Sequence, residues 1–75
     1  MNLDEANKLW FEFKPVEGIK FVLNESVRVM KGESKENYAV VISLVSLEPV
    51  SYLVELTSSP FGDVIVLESE IERAE

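Results

Sequence analysis

The chain has no histidine and no cysteine. Without histidine it lacks the side chain that most often serves as a general base near neutral pH. Without cysteine it has no thiolate nucleophile, no disulfide framework and no sulfur ligand for zinc. Glycine and proline are scarce, at three each, which excludes collagen-like and low-complexity architectures. No apolar run approaches the roughly 20 residues of a membrane-spanning helix. Asp4 and Glu5 stand where a signal peptide carries basic residues. The expectation is a cytoplasmic protein that does not enter a membrane.

Chemistry would therefore rest on carboxylates, Tyr38, Tyr52, serines or lysines. No glycine-rich phosphate loop, Gly-x-Ser-x-Gly elbow or calcium loop is present. The chain reads as a non-enzyme that needs no cofactor. Its 75 residues are enough for a single domain with one core, near the lower limit for folding without covalent or metal staples. The hydrophobic fraction of 47% argues against disorder despite a net charge of -7.

The charge is unevenly placed. Residues 1–37 hold seven acids and six bases, whereas residues 38–75 hold seven acids and only Arg73. An acidic carboxyl half repels phosphate backbones, which disfavours nucleic acid, and speeds encounter with a basic protein. Glu68, Glu70 and Glu72, with Asp63 and Glu75, form its densest part. With Glu48 and Glu55 they suggest an acidic rim that meets a basic partner. A hard cation is attracted only if the turn folds these carboxylates together.

Along the chain, Leu3, Ala6, Trp10 and Phe13 recur at spacings of three and four. They predict a helix over Asn2–Phe13, capped by Asn2, with Asp4 and Glu5 favoured at its start and Pro15 stopping it. A helix of about three turns does not persist alone in water, so its Trp10 and Phe13 face must dock. It docks on the chain's own core, or Trp10 anchors a partner.

Strand signals follow. After Glu17-Gly18, Ile19–Leu23 leads through Asn24-Glu25 into Ser26–Lys31, where Val27 and Val29 alternate with Arg28. Gly32–Asn37 is a polar surface loop. Tyr38–Leu47 is the longest apolar run and reads as a strand with two apolar faces: Ala39, Val41 and Val45 on one side, Tyr38, Val40, Ile42 and Leu44 on the other. The core takes one side. The helix or a homodimer would cover the other.

Pro49 ends that strand. Ser51–Thr57 is the clearest single strand, with Tyr52, Val54 and Leu56 inward and Leu53, Glu55 and Thr57 outward, and it reads as the middle of the sheet. Ser58–Gly62 is a turn in which Gly62 is free to take a positive φ. Asp63–Leu67 returns as a strand. Glu68-Ser69-Glu70 forms a single turn capped by Ser69, and Ile71 closes the core.

This order of signals resembles a small bacterial SH3-like β-barrel. The likeness rests on Phe21–Val29, the loop after it, Val40–Leu44, Tyr52–Leu56 and the ending Val66–Glu72, and covers about residues 19–73. It implies a mainly β fold: one domain over residues 1–75, with about five strands and a short amino-terminal helix within residues 1–14. Ribosome-associated KOW modules share this barrel but carry spaced glycines and basic loops; here only Gly32 remains, Asn37-Tyr38-Ala39 stands where a glycine belongs, and the surface is acidic. The variable chain of ferredoxin-thioredoxin reductase, a scaffold, and the acidic immunity proteins of bacterial toxin systems are similar in outline. The resemblance implies a non-catalytic protein-interaction module, or alternatively an immunity or inhibitor protein against a basic toxin or enzyme, or a scaffold subunit. The candidate contact residues are Trp10, Val41, Val45, Leu53, Glu55, Glu68, Glu70 and Glu72.

Overall fold

The computed structural model describes residues 1–32, 34–58 and 61–74. Helix α1 (Leu3–Phe11) starts at Asn2, whose side-chain oxygen accepts the Glu5 N–H at 2.8 Å, with Asp4 and Glu5 in the first turn as expected. It stops short of the expected Phe13. Lys14 precedes Pro15, and the residue before a proline is sterically kept from helical angles. Phe13 takes φ +59° and is 62% exposed, so it does not join the docking face. That face consists of Ala6 and Trp10, both buried.

Five strands follow: β1 (Ser26–Val29), β2 (Tyr38–Leu47), β3 (Val50–Leu56), β4 (Gly62–Leu67) and β5 (Ile71–Arg73). All pairings are antiparallel in one open sheet of order β4-β3-β2-β1-β5. The architecture is thus mainly β with one short helix. The expected Ser51–Thr57 strand falls in β3 apart from Thr57, which lies just past its end; β3 is interior, but β2 occupies the centre of the sheet. Residues 19–25 lie outside the strands, although Asn24 and Glu25 extend the β1–β2 ladder through bonds to Val41. The polar loop is a turn through Ser34–Glu36. Glu33 in that loop, Ser59 and Pro60 in the turn before β4, and Glu75 in the acidic rim lie outside the described residues. Gly62 has φ +142°, as anticipated for the end of that turn.

The core is one cluster. It joins Ala6 and Trp10 of α1, Phe21 from the segment before β1, Val27 and Val29 of β1, Ala39, Val41 and Leu44 of β2, Tyr52, Val54 and Leu56 of β3, Val66 of β4 and Ile71 of β5. The helix therefore covers the same sheet face that carries Tyr52, and does not cover the opposite face.

The two-sided apolarity of Tyr38–Leu47 has a geometric cause. Val41 pairs with Val54 and Ser43 with Leu53, which leaves Ile42 as an extra residue; a second shift leaves Val45 extra between Leu44 and Ser46. An extra residue in one strand reverses which positions face inward. The buried set accordingly runs Ala39, Val41 and then Leu44. A single-parity reading cannot contain that switch.

The end of the chain closes through a one-turn 3-10 helix, Glu68–Glu70. Its cap is Glu70 and not Ser69: the Glu70 carboxylate accepts the Leu67 N–H at 2.8 Å, while Ser69 is exposed. Ile71 is buried, as expected. Among the described residues no helix is long and apolar enough to cross a membrane.

Candidate interaction surface

Side chains alternate across a strand, so the inward residues of β3 and β4 fix what lies on the opposite face. Val54 sits beside Val41 and Val64, and Tyr52 beside Leu44 and Val66, all on the core side. The rows between them face outward. One outer row aligns Ser26, Val40, Glu55 and Asp63; the next aligns Ser43, Leu53 and Ile65; a third aligns Ser46, Ser51 and Leu67. Leu53 thus lies beside Ser43 and Ile65, and not beside Val41 or Val45.

The centre of this face is apolar. Leu53 is half-buried between its neighbours, Ile65 is 64% exposed and Leu67 is 38% exposed. Its margin is acidic, since Glu55 and Asp63 are cross-strand partners and both exposed. Like charges directly opposite on adjacent strands oppose the pairing. The ion pairs among the described residues are Lys14–Glu12, Arg28–Glu36 and Arg73–Glu25. No cation of the described chain neutralises Glu55 or Asp63.

The remaining candidates sort by burial. Trp10 is 2% exposed, and its indole N–H donates to the Phe21 carbonyl at 2.8 Å, so it is a core residue with nothing to offer a partner. Val41 is fully buried for the same reason: it lies on the inward side before the Ile42 bulge. Val45 is half-buried at the second bulge.

Glu68 has an internal role. Its Oε2 accepts the Tyr52 hydroxyl at 2.6 Å and the Lys20 N–H at 3.0 Å, while the Tyr52 oxygen also accepts the Phe21 N–H at 3.2 Å. Burial, reinforced by the Glu68 carboxylate, pushes the Tyr52 phenol well above its ordinary pKa. This network ties the 3-10 turn and the 19–21 segment to β3. With Glu70 capping the turn, two of the three alternating glutamates hold the fold together. Glu72 alone of the three is exposed, opposite Arg28 on the outer face of β5.

Two features escaped the sequence. The pairing of Leu53 with Ile65 and of Glu55 with Asp63 depends on the β3–β4 register, which the run Asp63–Leu67 signals only as an alternation. Asn7 offers no pattern at all, yet its side-chain amide donates to the Leu44 carbonyl at 3.2 Å and accepts the Leu44 N–H at 3.3 Å.

A cleft of about 690 Å³ near the β2–β3 hairpin is lined by Val16, Ile19, Leu47 and Val50, with Glu17 and Glu48 beside them. Among the described residues no group of acidic side chains is arranged to hold a metal ion. Comparison with known proteins finds no matching family model, no similar curated protein and no similar solved structure.

Proposed function

We propose that the chain is a non-catalytic protein-interaction module built as a small SH3-like barrel, and that its outer sheet face receives a basic protein partner. Two features support the barrel reading: the meander of β1 to β4, and the return of β5 to β1 after a 3-10 turn, with one core drawn from all five strands. The observation that carries the functional reading is the juxtaposition of Leu53 and Ile65 with the unneutralised pair Glu55 and Asp63. An apolar centre with a charged margin is the composition of a protein-binding patch. A cation brought by the partner relieves the repulsion between the two carboxylates, which favours a basic partner over a second copy carrying the same -7 charge. An immunity or inhibitor protein directed at a basic toxin or enzyme is a specific form of this function and uses the same face.

The test is a titration of the isotope-labelled chain with a peptide of alternating lysine and valine, followed by amide chemical shifts at low and high salt. The largest shifts are expected at Leu53, Glu55, Asp63 and Ile65. They weaken with salt and disappear in the double variant Glu55→Lys, Asp63→Lys. Shifts elsewhere, or binding that ignores salt and charge reversal, overturn the reading.

A further inference from the structure

Among the described residues, strand β4 is bonded to β3 along one edge and to no strand along the other. The direction of its backbone groups follows from one bond. The Leu67 N–H turns away from β3 to the Glu70 carboxylate. In an antiparallel strand, alternate residues direct both N–H and C=O to the same side. Asp63 and Ile65 therefore present their N–H and C=O groups on the open edge. Among the described residues no backbone group bonds to them.

Sheet edges are commonly blunted by lysine, proline, a bulge or a covering loop. β4 contains neither lysine nor proline, pairs with β3 over six consecutive residues without a register shift, and carries Asp63 as its only charge. Its open edge borders a groove of about 230 Å³, with Val64, Ile65 and Val66 on one wall and Lys31 and Ser34 lining it as well.

Building on the basic-partner reading above, we propose that recognition occurs by strand addition: an extended segment of the partner pairs with the free edge of β4 as a sixth strand. Backbone bonds to Asp63 and Ile65 supply the attachment. Specificity comes from alternate side chains on the outer face, a lysine or arginine beside Asp63 and Glu55 and an aliphatic residue beside Ile65 or Leu67. A second copy adding through its own β4 brings another Asp63 and another seven negative charges to the edge, so the occupant is a cationic strand from a different chain.

The probe is the blocked peptide Thr-Lys-Thr-Val-Thr-Val-Thr-Lys-Thr, whose side-chain order is the same in either direction. In one form the lysine and valine nitrogens are methylated, in another the threonine nitrogens. A strand bonds its neighbour through alternate residues only, so one methylation pattern is expected to weaken binding by roughly tenfold or more while the other leaves it nearly unchanged. The unmethylated peptide also slows hydrogen exchange at the Asp63 and Ile65 amides. Ile65→Pro, which removes an outward N–H and no β3 bond, abolishes peptide binding while the amide spectrum stays native. If that variant fails to fold, the exchange and methylation experiments still decide. Equal effects of both methylation patterns, or unchanged exchange at Asp63 and Ile65, overturn strand addition. Salt-sensitive shifts at Glu55 and Asp63 would still uphold the basic-partner reading in that case, and their absence would remove both.

Discussion

The Tyr52 hydroxyl donates to the Glu68 carboxylate at 2.6 Å from a ring that is fully buried. The bond joins an interior strand to the turn that closes the chain. The Tyr52 ring also stacks edge-on with Phe21, at 5.7 Å between centroids, and lies 6.4 Å from Trp10. Hydrogen bonds to ionised partners contribute about 2 kcal/mol. Tyr52→Phe keeps the ring, loses this bond and leaves the Phe21 N–H that the hydroxyl accepts without a partner, so urea unfolding should show a loss of about 2–4 kcal/mol. The same bond fixes a pH dependence. The phenol is held above its ordinary pKa of 10.0 in the folded chain, so the unfolded chain releases that proton first. This contribution is intact below about pH 10 and is lost as pH rises beyond it. Stability measured from pH 8 to 11 should fall at the alkaline end in the native sequence, and the fall should be smaller in Tyr52→Phe.

Asn7 occupies a stretch of β2 that β1 does not reach. β1 pairs with β2 only as far as Val40, the bonds from Asn24 and Glu25 end at Val41, and the Asn7 amide then meets both backbone groups of Leu44. A carboxamide has the donor and acceptor of a peptide group, so it substitutes for a missing strand. Asn7→Ala leaves the Leu44 N–H without a partner and its C=O with the Ser43 hydroxyl alone, at a part-buried site. The expected cost is about 1–2 kcal/mol, reduced slightly by the better helix propensity of alanine. Denaturant midpoints check this. Asn7→Asp should restore little, because a carboxylate opposes the Leu44 carbonyl.

How much of this was legible in the sequence varies with the range of the interaction that decides it. The Asn2 cap, the β2 boundaries, the inward set Tyr52, Val54 and Leu56, and the single turn at Glu68–Glu70 all follow from local patterns. The bulges at Ile42 and Val45 do not, because a strand of apolar residues on both faces carries no parity to be broken. The same ambiguity made Val41 look like a surface residue. Glu68 and Glu70 looked like a solvated rim because acids in sequence do not declare their partners: Tyr52 is 16 residues from Glu68 and Lys20 is 48 away. Trp10 carried two readings at once, and only the distant Phe21 carbonyl and Tyr52 ring separate them.

The division of β3 and β4 into an inner and an outer face can be tested with two substitutions of the same kind. Val54 is fully buried between Val41 and Val64, whereas Ile65 is 64% exposed beside Leu53. A chain of this length has a total stability of about 4–11 kcal/mol. Burying an unpaired carboxylate costs a large share of that, roughly 4 kcal/mol or more. Val54→Asp should therefore leave the chain unfolded by circular dichroism at 25 °C, while Ile65→Asp should remain folded with a change of about 0.5 kcal/mol or less. Equal sensitivity at the two positions would mean that the register is shifted by one residue.

Charge reversal at Glu55 separates stability from binding. In the native sequence Glu55 faces Asp63 across the β3–β4 ladder, a like-charge pair that weakens the sheet. Glu55→Lys converts it into an opposite-charge pair, and cross-strand pairs of that kind contribute about 0.2–1 kcal/mol. The variant should unfold at higher urea concentration than the native chain, and the gain should shrink in high salt because both groups are exposed. Binding of the lysine-rich peptide should change in the opposite direction. A residue retained only for folding would not show this opposition, and a Glu55→Lys chain that is less stable and binds equally well would remove the outer face from consideration. Glu55→Gln, which removes the repulsion without adding a cation, should fall between the two in both measurements.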